Sequence, residues 1–131
     1  MNSKDVEILI VDDAMDMRLT LGRMLKNIGY TRISYASNER EAVAIARQTD
    51  VRFAFLDIEM PGKSGIELLK ELHEIVPQCD CIMVSGSNDA KTVKQALEGG
   101  AIAFVIKPYS EQKISDVLEK LESAKPSGTS A

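Results

Sequence analysis

Four apolar runs in this chain each end on a polar side chain with chemistry of its own. Ile8-Leu9-Ile10-Val11 leads into Asp12-Asp13, Phe53-Ala54-Phe55-Leu56 into Asp57, Ile82-Met83-Val84 into Ser85, and Phe104-Val105-Ile106 into Lys107. Unbroken apolar runs this short, separated by helical patterns, read as strands buried on both faces of a parallel sheet. Such sheets bind ligands outside the carboxyl ends of their strands, where the strand order reverses. Three carboxylates, a hydroxyl and an amine, far apart along the chain, are therefore expected to meet at one edge. That set of groups suits a divalent cation together with a phosphoryl group.

Between the runs the pattern alternates strand and helix five times, with strands expected over 6–11, 31–36, 51–57, 79–84 and 103–106. The first helix, over 14–28, carries Met17, Leu21, Met24, Leu25 and Ile28 at helical spacing, and Gly29 stops it. Ser37 or Asn38 can cap the second, which ends near Thr49, and Glu41 stands at capping-box distance from Asn38. A loop over 58–63, punctuated by Pro61-Gly62, precedes a third helix capped by Ser64 with Glu67 three residues on, and Pro77 lies just past its end. The fourth helix is expected to start at Asn88 and close at Gly99-Gly100, and the fifth to span about 110–122. This alternation argues for an α/β doubly wound fold with right-handed crossovers. Residues 1–123 are read as one domain, and the small, polar residues 124–131 as a flexible C-terminal tail.

At 131 residues, with 44% hydrophobic and 27% charged residues, the chain has the size and composition of one globular domain. A formal charge of −4 gives no support to nucleic-acid binding, since phosphate contacts need a basic face. No apolar stretch approaches membrane-spanning length and the start has no signal-peptide core, so a cytoplasmic protein without a membrane partner is expected. Cys79 and Cys81 fall on one face of a strand beside apolar neighbours, which reads as packing; a zinc site would need more ligands, and the single histidine, His73, lies elsewhere. Reduced thiols suit the same compartment.

The residues at the strand ends closely resemble the receiver domains of two-component response regulators, in particular the chemotaxis regulators, over residues 6–121. The matching pieces are Val11-Asp12-Asp13, Leu56-Asp57-Ile58-Glu59-Met60-Pro61-Gly62, Val84-Ser85-Gly86 and Lys107-Pro108. Each is weak alone; together, in order and at strand ends, they are specific. The resemblance implies a flavodoxin-like sheet of order 2-1-3-4-5 flanked by five helices. It implies that Asp57 accepts a phosphoryl group from a sensor histidine kinase or a histidine phosphotransfer protein. Mg²⁺ would be ligated by Asp13 and Asp57 directly, by Asp12 through water and by the backbone carbonyl of Glu59. Without metal the clustered carboxylates should repel and raise at least one pKa. Ser85 and Lys107 would hold phosphoryl oxygens, and Phe104, three residues before Lys107, would rotate inwards as the switch. Many relatives carry Tyr there, so a hydroxyl-dependent switch does not transfer. A cis Lys107-Pro108 bond is also implied. The surface expected to change is the fourth helix, fifth strand and fifth helix, including Lys91, Lys94, Gln95, Tyr109 and Lys113, which would bind a downstream protein target. Glu59 departs from the neutral residue of many relatives; its side chain is expected at the rim, near the acyl phosphate.

Two other classes compete. A Mg²⁺-dependent phosphatase of the haloacid-dehalogenase type would want its nucleophile on the first strand, Asp two residues on, and a cap segment; here the candidate is Asp57 on the third strand, and no cap segment is expected. A pseudo-receiver, an interaction module without phosphate turnover, would lack ligand positions that are all filled here. The segment around His73 faintly resembles the phosphoacceptor box of sensor kinases, but its proline, Pro77, falls one residue too early, and a helix-surface histidine accounts for it better. After Glu122 there is no room for an output domain, so the chain is either a stand-alone receiver or part of a longer regulator. The expected role is a signalling switch, catalytic only towards its own phosphorylation and dephosphorylation.

Overall fold

In our computed structural model, which describes residues 4–60, 64–87 and 89–124, strand and helix alternate without exception. The order is β1 (Glu7–Val11), α1 (Met15–Ile28), β2 (Arg32–Ala36), α2 (Glu39–Gln48), β3 (Val51–Asp57), α3 (Gly65–Ile75), β4 (Asp80–Ser85), α4 (Ala90–Glu98), β5 (Ala103–Ile106) and α5 (Glu111–Ala124). All strand pairs are parallel, and the five strands lie in the order β2-β1-β3-β4-β5. β3 and β5 occupy the expected residues; most other ends differ by a residue or two, within the usual fraying of termini.

Local chemistry explains the helix ends. Gly29 closes α1 at φ 128°, a conformation that costs a residue with a Cβ far more. Of the two candidate caps of α2, Asn38 is the one used: it accepts the Glu41 N–H at 2.8 Å, while the Glu41 carboxylate reaches back to accept the N–H and hydroxyl of Ser37 at 2.7 and 2.8 Å. Ser64 and Glu67 form the reciprocal box expected for α3. The start of α4 is a correction. Asp89 is its N-cap, accepting the Thr92 N–H at 2.9 Å, so the helix begins at Ala90 rather than at Asn88, which lies outside the described residues. The Pro61-Gly62 punctuation and residues 125–131 of the expected tail lie outside them too.

Period-2 alternation divides the strand residues between two cores. Leu9, Val11, Ala54, Leu56, Cys81 and Met83 pack on one face of the sheet with residues of α2, α3 and α4. Ile8, Ile10, Phe53, Phe55, Ile82, Val84 and Val105 pack on the other with residues of α1 and α5. Each buried aliphatic or aromatic side chain contributes about 1.5–3 kcal/mol, which is why the middles of the central strands, Ile8–Val11, Phe53–Leu56 and Cys81–Val84, carry no charged residue. Cys79 and Cys81 are buried free thiols in the first core, as expected. Among the described residues no helix is long and apolar enough to cross a membrane.

Candidate functional site

β1, β3 and β4 stop being apolar at the same edge, and the backbone holds their final residues in place. The Asp12 N–H extends the β1 ladder onto the Ala36 carbonyl at 3.1 Å. Its side chain accepts the Ala14 N–H at 3.0 Å, and its carbonyl accepts a guanidinium N–H of Arg18 at 2.7 Å. Asp57, the last residue of β3, is 3% exposed, and its Oδ1 accepts the Glu59 N–H at 3.1 Å. A Cβ at Gly65 would collide with the Asp57 carbonyl oxygen, so only glycine lets α3 close against the backbone of this aspartate. Ser85 ends β4 fully buried, and its carbonyl accepts the Lys107 N–H at 2.8 Å. That bond draws Lys107 onto the same edge. Its Nζ lies 3.3 Å from Asp57 Oδ2 and 3.5 Å from Asp12 Oδ2. The Lys107-Pro108 peptide is cis.

Burial pushes the Asp57 carboxyl up to about 6, the charge of Asp12 adds to the rise, and Lys107 and the Glu59 N–H oppose it. The rise was expected from carboxylate repulsion; desolvation is the larger cause. For Lys107, burial disfavours the ammonium, but the carboxylates of Asp57 and Asp12 outweigh it and hold its pKa above the ordinary value. Tyr109, expected on the outer face, is instead half-buried and lines a small cavity with Asp12 and Asp57. Burial first, then the charges of Asp12 and Asp57, push its phenol up to about 12.

Asp12, Asp13 and Asp57 each offer one carboxylate oxygen within 4.8 Å of the others. An all-oxygen set with one exposed member, Asp13, matches a hard cation that keeps some of its water, such as Mg²⁺ or Ca²⁺. Asp13 follows the buried Asp12 in a chain already turning into α1, which explains why neighbours in sequence differ so much in exposure.

Glu59 is exposed at the rim of this edge. Its side chain crosses to the loop after β4, where one carboxylate oxygen accepts the Ser85 hydroxyl and the other accepts the Gly86 N–H at 3.2 Å. Ser85 Oγ in turn accepts the Ser87 N–H at 3.0 Å. The Gly86 N–H and the Arg18 contact were missed by sequence reasoning. Backbone donors leave no residue-type signal, and Arg18 would have been visible only as a basic residue one turn into the helix that follows the acidic pair. Phe104 is half-buried against the first core, its Cα opposite Met83. His73 is an exposed residue of α3, as expected.

Residues 8–119 match the family described as response regulator receiver domain. The chemotaxis protein CheY of Thermotoga maritima is 33% identical over 114 residues, covering 87% of this chain and 95% of its own length. A CheX–CheY complex with BeF3 and Mg²⁺ from Borrelia burgdorferi contains a chain that superposes with a TM-score of 0.83 at 28% identity, covering 88% of each chain. A response regulator protein from Burkholderia pseudomallei, with a phosphorylated aspartic acid, a calcium ion and citrate, superposes with a TM-score of 0.79 at 25% identity, covering 93% of this chain and 75% of that one.

Proposed function

Since the chain belongs to the response regulator receiver domain family, we propose that Asp57 is its phosphoacceptor and that phosphorylation there switches the face built by α4, β5 and α5. The observation that carries the assignment is the position of Asp57: a buried carboxylate at a strand end, with the Lys107 ammonium at 3.3 Å and two further carboxylates alongside. A pKa of about 6 leaves Asp57 ionised at neutral pH, so no separate base is needed to activate it. In the transfer, Asp57 forms a bond to phosphorus as the donor's N–P or O–P bond breaks, and the leaving imidazole or acetate departs with the electron pair. Lys107 offsets negative charge on the transferred oxygens, and the donors on the β4–α4 loop can orient them. Mg²⁺, held by Asp12, Asp13 and Asp57 with the backbone carbonyl of Glu59, would neutralise the remaining charge of the phosphoryl group.

The phosphodonor is a histidine kinase or a histidine phosphotransfer protein, which has to approach over the strand ends. Met15 and Leu19, 64% and 52% exposed on the first turns of α1, offer that partner apolar contact beside the site. Output uses the face built by α4, β5 and α5. There Lys91, Lys94, Gln95 and Lys113 are exposed, and Leu97 and Ile102, at 53% and 48%, supply apolar area for a protein target. Free thiols at Cys79 and Cys81 support a cytoplasmic setting. Incubation with acetyl phosphate and Mg²⁺ is expected to add one phosphoryl mass that Asp57→Asn abolishes. Full labelling of that variant would refute the assignment.

A further inference from the structure

Two hydrogen-bond donors on the loop after β4, the Ser85 hydroxyl and the Gly86 N–H, converge on the two oxygens of one carboxylate, that of Glu59. A pair of adjacent donors gripping two oxygens of a single anion is a two-point anion site, and here the anion belongs to the protein itself. A hydroxyl carries one hydrogen and an amide carries one. While Glu59 holds both, neither is free to donate to a phosphoryl oxygen on Asp57. The lone pairs of Ser85 Oγ do not help, because one already accepts the Ser87 N–H and acceptors cannot bind an anion.

We propose that the Glu59 side chain is an internal gate on phosphoryl binding: its carboxylate occupies the donors of the phosphoryl subsite in the resting protein and is expelled when a phosphoryl group takes them. The proposal rests on the phosphoacceptor assignment of Asp57. The same residue is tied to the acceptor through its backbone, since the Glu59 N–H donates to Asp57 Oδ1 at 3.1 Å. Glu59 thus links the acceptor and the β4–α4 loop before any phosphate arrives. Binding a phosphoryl group becomes an exchange of one anion for another on the same two hydrogens, so the gain is smaller than two new charge-assisted bonds would bring. The dianion wins by its greater charge, by its covalent tether to Asp57 and by like-charge repulsion of the carboxylate it displaces. Glu59 acts through the donors it covers and is a positioning residue.

Occupancy and simple charge repulsion make different predictions. Glu59→Ala removes both the charge and the reach. Glu59→Asp keeps the charge but is one methylene too short to span both donors. Beryllofluoride with Mg²⁺ is the probe, titrated into each protein while the ¹⁵N–¹H resonance of Gly86 is followed. The gate predicts that both variants bind beryllofluoride about 5- to 20-fold more tightly than wild type, the range expected from releasing a charged hydrogen-bond pair. It also predicts that Gly86 resonances differ between wild type and Glu59→Ala in the free proteins and converge in the bound ones. Tighter binding by Glu59→Ala alone, with Glu59→Asp matching wild type, would replace the gate by plain repulsion. Affinities equal to or weaker than wild type in both variants, or Gly86 resonances that stay apart when bound, would also overturn it while leaving Asp57 as acceptor. Absence of beryllofluoride binding in all three proteins would remove the phosphoacceptor assignment and the gate with it.

Discussion

The Lys107 ammonium is shared between Asp57, 3.3 Å away, and Asp12, 3.5 Å away, so one cation restrains two buried carboxylates. Burial nonetheless keeps the Asp57 carboxyl at about 6. The acid is therefore weaker in the folded protein than in the unfolded chain, and the folded state holds its proton to higher pH. The stability associated with neutral Asp57 is complete below its unfolded value of 3.8 and is lost as pH rises towards about 6. In metal-free buffer, Asp57→Asn should unfold at higher urea than wild type at pH 7.5, by about 1–2 kcal/mol, and the two curves should approach each other near pH 4. An unchanged difference between these pH values would show that Asp57 is not titrating in that window.

Metal affinity should follow the oxygen cluster rather than the hydroxyl. Asp13→Ala is expected to weaken Mg²⁺ binding by about tenfold or more, as loss of one direct carboxylate ligand does, while Ser85→Ala stays close to wild type. Calorimetric titration of Mg²⁺ into the three proteins measures this. Equal affinities would contradict a direct role for Asp13.

Phe104 stands half-buried against the first core, its Cα opposite Met83. Phe104→Ala is expected to accept phosphate from acetyl phosphate still, but to lose the phosphorylation-dependent NMR shifts over Lys91–Gln95 and at Tyr109. Shifts of wild-type size in the variant would leave Phe104 a packing residue only.

Arg52 on β3 reaches across to Asp80 at the start of β4, with 2.7 Å between nitrogen and oxygen, and its guanidinium stacks 4.2 Å from the centre of the Phe53 ring. Asp80 is 5% exposed, so removing Arg52 withdraws part of the compensation of a desolvated charge. Arg52→Met should lower unfolding stability by roughly 2–3 kcal/mol, less than for a fully buried pair because Arg52 itself is partly exposed. Denaturant unfolding at neutral pH tests this, and phosphorylation of the folded variant should be unaffected.

The limits of most elements were legible to within a residue or two because they depend on neighbours in the chain. Asn38 and Ser64 cap their helices through residues three positions on, Gly29 ends α1 by a conformation only glycine adopts cheaply, and apolar runs end where Asp57 and Ser85 begin. Asn88 misled because Asp89, next to it, caps equally well, and capping preference alone does not separate the two. Cys79 and Cys81 both reach the first core, Cys81 by alternation along β4 and Cys79 from just before the strand.

The sequence by itself determined which residues end the strands, and with them the chemistry gathered at one edge, because both follow from short-range apolar patterning and residue type. Only the tertiary structure decided what those residues touch. Glu59 reaches Ser85 and Gly86 across 26 and 27 positions of chain, and Arg52 reaches Asp80 across 28. The carboxyl of Asp57 owes its pKa first to how deeply β3 is buried, and Tyr109 owes its place beside Asp12 and Asp57 to the packing of the loop before α5. Contacts of this kind are set by the spacing between strands and by which side chain first finds an unpaired donor, and neither is written in any local run of residues.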